Sequence, residues 1–240
     1  MIWPFARLRT YIQGTVPSIK ALDLNAMQDQ LIANTSVLRG STFFASDHFL
    51  AQAAGPQPYS PYIWSGSVST VAFTDDSAAG ANGCISFQAT SGTTSAIAVG
   101  SPQKLSVGTN DFQMSGRFRV VALPTGFPSS YFYAGFWTQG GGNGKTCAIY
   151  ATAGDLNFAY SSSSSVDTTV SLGVAPGTTY HSYDLIRLNG VVYVYIDNVL
   201  VYTQAFARDL TDARCTLSAT GIGGPTDVRV DRASVWFPYQ

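Results

Sequence analysis

The segment Tyr183–Phe206 constrains the fold of this chain more than any other stretch. It holds three short apolar runs separated by the pairs Asn189–Gly190 and Asp197–Asn198. Asn, Asp and Gly tolerate the positive φ angles that two-residue hairpin turns require at both positions. The segment therefore predicts three consecutive antiparallel β-strands joined by two tight turns.

The middle run of this segment alternates strictly, as the two faces of a β-strand do. One set of side chains is Val191, Tyr193 and Tyr195, and the other is Val192, Val194 and Ile196. Because both sets are apolar or amphipathic, we expect an inner meander that is covered on at least one side.

The composition favours strands through most of the 240 residues. Charged residues make up 11% of the chain, less than half of the roughly 25% usual in soluble domains. There is no Glu, and Glu is a helix former that strands disfavour. From Phe43 onward, short apolar runs alternate with turn residues about every eight to twelve positions, without interspersed helical patterns. We predict an all-β, two-sheet jelly-roll sandwich over residues 41–240.

Residues 1–40 differ from this pattern and predict an N-terminal extended arm followed by a short helix. The arm begins with the aromatic residues Trp3 and Phe5 and contains the Gly and Pro of a turning segment. In the helix, Leu24, Met27 and Leu31 follow the a/d spacing of a coiled-coil seam. The sequence leaves open whether this helix lies on its own domain or packs against copies of itself. We expect the arm to attach the chain to other proteins.

Charge and hydropathy narrow the possible partners. The net charge of −1 gives no support for binding a phosphate backbone, so nucleic acid is not an expected partner. The N-terminus lacks the apolar core of a signal peptide, and no run approaches the roughly 18 apolar residues of a membrane span. We expect synthesis in a cytosol without membrane insertion. Cys84, Cys147 and Cys215 lie in strand-like apolar contexts and are expected to be buried, free thiols.

Motifs that would carry catalysis are weak. A glycosidase site needs two carboxylic acids, and the chain has no Glu. We interpret Asp75–Asp76 and the segment around Asp209 as turns. The segment Gly140–Thr146 has Gln139 where a phosphate-binding loop needs its first Gly, and it leads into a strand instead of a helix.

Histidine and metal motifs are equally sparse. His48 and His181 lie near no G-x-S-x-G nucleophile motif and are expected at the surface or as caps. No Cys or His pair has zinc-site spacing, and Asp111 and Asp227 are weak candidates for calcium. We predict no catalytic residue and no cofactor.

An aromatic strand gives a more specific signal. Alternation places Phe132 and Phe136 on a face that belongs in the core. The opposite face and the amides that follow it are suited to stacking on sugar rings and bonding their hydroxyls. These candidate glycan-binding residues are Tyr131, Tyr133, Trp137, Gln139 and Asn143. The alternative is that the Tyr/Trp face packs under a second sheet or at a subunit interface.

Two regions resemble known families. From DFQMSGRFRV through YDLIRLNGVVYVYIDNVLVYTQAF to DVRVDRASVWF, the chain resembles the concanavalin A-like lectin/glucanase superfamily, including its laminin-G-like members. Those domains carry a Tyr-x-Leu strand and an xVxVYxDG hairpin, whereas the turn here is Asp197–Asn198. The resemblance covers about residues 43–240 and implies a concanavalin A-like jelly roll without implying an activity.

The N-terminal segment PFARLRTYIQGTVPSIKALDLNAMQDQLI is similar to attachment segments of tailed-bacteriophage structural proteins. The matching positions are Gly14, Thr15, Asp23, Leu24, Asn25 and Gln28. This resemblance implies a virion protein with a short anchor and a lectin-like head. It also implies a homo-oligomer with a trimer favoured, which the seam of Leu24, Met27 and Leu31 would suit.

Together these patterns predict a non-enzymatic phage virion structural protein, a tail fibre, spike or head fibre. Its arm would bind other virion proteins, and its sandwich would bind host-surface polysaccharide or a neighbouring virion protein. One alternative is a purely structural decoration or connector protein without a ligand. A second is a polysaccharide-degrading enzyme of the glucanase type, which the absence of Glu disfavours.

Overall fold

The computed structural model describes residues 42–47, 64–66, 71–90, 93–99, 107–125, 131–137, 145–162, 167–211, 213–221 and 224–238. The predicted arm and helix, with Trp3, Phe5, Leu24, Met27 and Leu31, lie outside the described residues. They stay a prediction. So do Gln139 and Asn143, which follow the aromatic strand.

Fifteen β-strands and a single 3-10 turn, Ser77–Ala79, make up the regular structure of the described residues. The strands are β1 (Thr42–Asp47), β2 (Trp64–Gly66), β3 (Val71–Asp76), β4 (Ala81–Phe87), β5 (Thr93–Val99), β6 (Phe112–Ala122), β7 (Tyr131–Trp137), β8 (Cys147–Ala151), β9 (Leu156–Ser161), β10 (Asp167–Val174), β11 (His181–Leu188), β12 (Val191–Ile196), β13 (Val199–Ala205), β14 (Arg214–Gly221) and β15 (Asp227–Pro238). The prediction of an all-β sandwich is confirmed.

The strands form two antiparallel sheets. Sheet A has the order β13-β12-β11-β6-β15-β4-β3, and β1 also pairs with β15. Sheet B has the order β10-β9-β8-β7-β14-β5-β2. Each sheet contains three pairs of consecutive strands, and its other pairs join strands that are distant in sequence, as in a jelly roll, where the chain crosses between the two sheets. The predicted two-sheet jelly-roll fold is therefore also confirmed.

The predicted three-stranded meander is β11, β12 and β13 at one end of sheet A. Its turns have the expected positive φ angles, 51° and 75° at Asn189 and Gly190 and 51° and 65° at Asp197 and Asn198. Val192, Val194 and Ile196 are buried on the inner face, whereas Tyr193 and Tyr195 are only partly covered on the outer face. The prediction that at least one side is covered is confirmed, whereas the prediction of an inner position is wrong, because β13 is the edge strand of sheet A.

The core lies between the sheets and is rich in aromatic contacts. Phe118 of sheet A lies 5.0 Å from Phe132 of sheet B, measured between ring centroids, and Phe112 lies 4.6 Å from Phe136. Tilted pairs at this separation add stability beyond the area that they bury. The three cysteines, Cys84, Cys147 and Cys215, are free and buried as predicted.

One charged residue, Arg187, is buried in this core at 1% exposure. Its guanidinium donates hydrogen bonds to the backbone carbonyls of Asn110 at 2.7 Å, Gly108 at 2.9 Å and Arg208 at 2.9 Å. It also lies 4.9 Å from the Phe112 ring centroid. These carbonyls belong to two loops, so Arg187 ties both loops to the sandwich and satisfies buried acceptors.

Candidate functional site

Strand β7 divides its side chains between the core and the outside of sheet B. Phe132, Ala134 and Phe136 are fully buried between the sheets. Tyr131 and Trp137 are partly exposed on the outside, and Tyr133 keeps 7% of its surface. The Phe side therefore packs under the second sheet, and the Tyr/Trp side does not.

The flanking strands complete this outer surface. In the register of β14, Arg214 stands opposite Trp137, and Ser218 stands opposite Tyr133. On the other flank, β8 places Tyr150 opposite Tyr133. We call this surface the sheet B face; its residues are Tyr131, Tyr133, Trp137, Ala148, Tyr150, Arg214, Thr216 and Ser218.

Small residues form the middle of the sheet B face. Gly135 stands between Thr216 and Ala148, which are 6% and 0% exposed. A Cβ atom built on Gly135 would lie 2.3 Å from the Ala148 Cβ. Gly135 is thus required by the approach of β8. The middle of the face is sheltered, and larger rings surround it.

The rings form two contacts along this face. Tyr131 and Tyr150 have centroids 5.0 Å apart, and Tyr133 and Trp137 have centroids 6.0 Å apart. Burial raises the pKa of the Tyr150 phenol, and it raises that of Tyr133 well above its usual value. Both phenols are therefore weaker acids than a free tyrosine, and they act as hydrogen-bond donors near neutral pH.

The face ends at a polar corner beside β10. Asp167 accepts hydrogen bonds from the hydroxyls of Ser161 at 2.7 Å and Thr146 at 2.9 Å. The Thr146 backbone amide donates in turn to the Ser161 hydroxyl at 2.7 Å. This carboxylate is already bound by protein donors and fixes the strand edge.

A second cluster lies on the outer face of sheet A, around Asp76. Its carboxylate accepts from Arg119 at 2.5 and 2.6 Å, from Arg229 at 2.6 Å and from the Tyr180 hydroxyl at 2.7 Å. Burial alone would raise the pKa of Asp76, but these donors and the Arg charges outweigh it and hold the pKa below its usual value. Asp75 forms the predicted turn by accepting from the Ser77 amide at 3.0 Å. Asp76 was also interpreted as a turn residue, but it ends strand β3 and binds the two arginines and Tyr180.

The same cluster continues through two more ion pairs. Arg117 pairs with Asp231 at 2.7 Å, and Arg229 pairs with Asp227 at 3.3 Å. With Asp76 and Arg119, three Asp carboxylates face three Arg guanidinium groups, so the cluster is neutral. We assign it to the stability of sheet A.

The remaining polar candidates have local roles. His181 caps a turn through a 2.7 Å contact between Nδ1 and Asp197 Oδ2, which fits the prediction of a cap. Asp209 accepts from the Thr211 amide at 2.7 Å, as a turn residue does. Asp111 accepts from the Asn189 amide at 2.8 Å. His48 lies outside the described residues.

The described residues show neither a metal-binding cluster nor a membrane-spanning helix. No group of three or more His, Cys, Asp or Glu side chains stands close enough there to hold a metal ion. Nor does that part of the chain contain a helix with the length and apolarity needed to span a membrane.

Sequence reasoning placed Tyr131, Tyr133 and Trp137 together but missed Tyr150, Arg214 and the small residues between them. These lie on separate strands, β8 and β14, and only the strand register brings them beside β7. The sequence signal for Tyr150 and Arg214 was weak, because it consisted only of a tyrosine and an arginine in short runs of alternating residues.

Comparison with known proteins identifies the fold by structure alone. No protein-family profile and no curated sequence matches the chain. A GH16 protein from Bacteroides ovatus, solved with a G4G4G3G product, superposes with a TM-score of 0.53 at 11% identity, covering 80% of this chain and 99% of that one. The polysaccharide lyase family-7 alginate lyase A1-II' gives 0.52 at 17% identity, covering 78% and 100%.

A third solved structure, the protein of unknown function SO2946 from Shewanella oneidensis, superposes with a TM-score of 0.62 at 13% identity. The match covers 94% of this chain and 97% of that one. At these identities the comparisons establish the fold. The described residues form a two-sheet jelly-roll sandwich, and a GH16 protein and an alginate lyase share that fold.

These findings correct two predictions made from the sequence. The prediction of a phage virion structural protein is wrong, because the functionally described structures above act on polysaccharides and nothing in the comparisons indicates a virion component. The prediction that the chain is not an enzyme is wrong for the same reason: a glycanase and a lyase share its fold. The argument from missing Glu covered only hydrolysis by two carboxylates, and a lyase does not use that reaction.

Proposed function

We propose that this protein is carbohydrate-active: it binds a polysaccharide on the sheet B face and cleaves it there. The observation that carries the proposal is the arrangement around Gly135, where Tyr131, Tyr133, Tyr150 and Trp137 surround a sheltered floor of small residues. Aromatic rings stack on the C–H faces of sugars, and small residues leave room for the chain. The fold shared with a glycanase and an alginate lyase supports the same conclusion.

The groups on this face favour elimination over hydrolysis. Hydrolysis of a glycosidic bond uses two carboxylic acids flanking it. The eight residues of the sheet B face include no carboxylate, and Asp167, at the polar corner beside it, is bound by Ser161 and Thr146. Elimination from an acidic sugar needs a proton acceptor, a proton donor and a cation near the sugar carboxylate.

Phenols and a guanidinium meet those needs. Tyr150 carries its phenolic proton at neutral pH, as tyrosines do, and is placed to donate it to the departing sugar oxygen, although burial raises its pKa and makes it a weaker acid. Arg214, opposite Trp137, is suited to pair with a carboxylate in a two-pronged hydrogen bond. Tyr131 is the candidate proton acceptor once its own phenolic proton has passed to solvent. The phenolate then takes the proton from the carbon beside the sugar carboxylate, the carbon–carbon double bond forms as the glycosidic C–O bond breaks, and the departing oxygen takes a proton from Tyr150. The proposed substrate class is therefore an acidic polysaccharide.

The test is an assay of the purified full chain on soluble polysaccharides. Alginate and pectate represent the acidic class, and mixed-linkage β-glucan represents the neutral class. Each reaction is followed by new reducing ends and by the ultraviolet absorbance of the carbon–carbon double bond that elimination creates. We expect both signals to rise together with an acidic polymer.

Other results would separate the parts of this proposal. Reducing ends without ultraviolet absorbance would mean hydrolysis and would overturn the assignment of Tyr150 and Arg214. Retention on the polymers without any product would leave binding alone. If the protein is retained on none of the polymers and forms product from none of them, the proposed function is contradicted.

A further inference from the structure

We propose that the outer face of sheet A is a second polysaccharide-contacting surface, which holds a polymer while the sheet B face acts on it. The inference rests on the proposed function, because a second contact is useful only with a polymeric substrate. The surface lies on the opposite side of the sandwich from the sheet B face. We call it the sheet A platform, and it spans β15, β6, β11 and β12.

Strand register aligns the platform residues in two rows across the strands. The first row is Trp236, Gln113, Ile186 and Tyr193, from β15 to β12. The second row is Ser234, Ser115, Asp184 and Tyr195. Adjacent strands lie about 4.8 Å apart, so Trp236 and Tyr193 stand about 14 Å from one another. That distance suits a short stretch of polysaccharide running across the strands.

The aromatic side chains of the platform have no partner in the described part of the molecule. Trp236 is 36% exposed, and Tyr193 and Tyr195 are partly exposed. Among the described residues, none of the three takes part in a hydrogen bond or a ring contact. Aromatic residues usually find such partners when they serve packing. Their faces and hydroxyls are available to a ligand.

Polar groups between the rings are held in place by one another. Asp184 accepts a hydrogen bond from the Ser115 hydroxyl, and the Gln113 amide donates to Ser115 at 3.0 Å and to Asp184 at 3.4 Å. This order fixes a carboxylate and an amide on the same surface as the rings. Stacking rings beside fixed acceptors and donors is the chemistry that recognises a sugar with its apolar faces and hydroxyl edges.

A second copy of the chain is the competing occupant, and the position of the aliphatic residues argues against it. The most exposed aliphatic side chains are Leu188 at 50%, Leu200 at 47% and Val199 at 62%. Leu188 is the last residue of β11 and lies beyond the two rows, whereas Val199 and Leu200 lie in the outermost strand, β13. Within the rows, Ile186 is the one aliphatic residue, and polar groups separate the rings.

The experiment measures retention of the full chain on insoluble polysaccharides: cellulose, chitin and calcium alginate gel. The variants are Trp236→Ala and Tyr193→Ala, and Leu200→Ala is the matched control because it removes an exposed side chain of the same face. Light scattering of each protein gives its mass in solution. Cleavage of soluble polymer is measured in parallel.

We expect Trp236→Ala and Tyr193→Ala each to weaken retention about tenfold, the effect of losing about 1.4 kcal/mol of binding. Leu200→Ala should retain normally, and cleavage of soluble polymer should be unchanged in all three. The inference is overturned if both aromatic variants are retained as well as the wild type. It is also overturned if the wild type is retained on none of the polymers, or if the aromatic variants change their oligomeric mass. Failure of the proposed function appears separately, as absence of product from soluble polymer.

Discussion

At the scale of single residues, Gly135 shows how the sheet B face is built. It lies on β7 opposite Ala148 of β8, and the space for its missing side chain is filled by Ala148. We predict that Gly135→Ala destabilises the protein by about 2–3 kcal/mol, because the added methyl forces the strands apart. Gly154→Ala is the control, since nothing lies within 4 Å of a Cβ there. Urea denaturation of both variants checks this, and equal stabilities would contradict it.

Arg187 is the second residue whose environment sets a clear expectation. Replacing it by Met keeps much of the apolar stem but leaves the carbonyls of Gly108, Asn110 and Arg208 without their donor. Each unsatisfied buried acceptor costs about 1–3 kcal/mol, offset partly by removal of a buried charge. We expect Arg187→Met to lower the free energy of unfolding by about 3–4 kcal/mol. A midpoint in urea close to that of the wild type would show that the loops do not depend on this side chain.

At the scale of elements, the β11–β12–β13 meander depends on its turns. Asn198 has φ at 65°, where a β-branched residue is strained. We predict that Asn198→Val costs about 1–2 kcal/mol, whereas Asn198→Gly is neutral or stabilising because Gly adopts this φ freely. Thermal unfolding of the pair gives the difference directly. Equal melting temperatures would mean that the turn does not hold the hairpin.

The same meander shows what the sequence could predict at this scale. Its turns are encoded by neighbouring residues, so β11, β12 and β13 were predictable, and so was the split of Tyr131 from Phe132 by simple alternation. Strand β10 was not predicted, because its run of small and hydroxyl residues contains Gly173 at φ 67° and a register shift between Ser171 and Val174. Strand β5, TTSAIAV, lacks the large side chains of a typical strand signal.

Contacts between distant strands set the limit of prediction for the site itself. Tyr150 and Arg214 join Tyr133 and Trp137 only through the pairing of β7 with β8 and β14. Arg187 alternates with Tyr183 and Leu185, so its inward direction was readable, but its carbonyl partners on two loops were not. Patterns among neighbouring residues predict single strands, whereas strand register and loop contacts depend on how the whole sandwich is assembled.

At the scale of the whole molecule, the Asp76 cluster links stability to pH. The pKa of the Asp76 carboxyl is lower in the folded protein than in the unfolded chain, where it is about 3.9. Ionised Asp76 therefore stabilises the fold at pH values above about 3.9, and this contribution is lost as the pH falls through the lower folded pKa. We predict that Asp76→Asn loses about 2–3 kcal/mol at neutral pH, a reduced cost because Arg119 and Arg229 are partly exposed.

Denaturation measured from pH 7 to pH 3 tests that prediction. The difference between wild type and Asp76→Asn should shrink below about pH 4, since protonated Asp76 no longer attracts its arginines. Asp75→Asn is the control, because Asp75 is exposed and lies outside the ion cluster. If the difference in unfolding free energy between the two proteins stays constant across this range, Asp76 does not contribute to the acid sensitivity of the fold.

The two outer faces of the sandwich give the molecule its proposed organisation. The sheet B face is sheltered, with Tyr133, Thr216 and Ser218 nearly buried, whereas Trp236 and Gln113 of the sheet A platform are exposed. A sheltered face suits a reaction on one segment of chain, and an open face suits attachment to a polymer. Either face can be altered by replacing one tryptophan, Trp137 or Trp236.

Product formation from a soluble acidic polysaccharide by the wild type, Trp137→Ala and Trp236→Ala tests whether the sheet B face carries catalysis. We predict cleavage by the wild type, a loss of about tenfold or more in Trp137→Ala with the fold intact by circular dichroism, and normal cleavage in Trp236→Ala. Equal activity in the wild type and Trp137→Ala, or a larger loss in Trp236→Ala, would contradict the assignment of catalysis to the sheet B face.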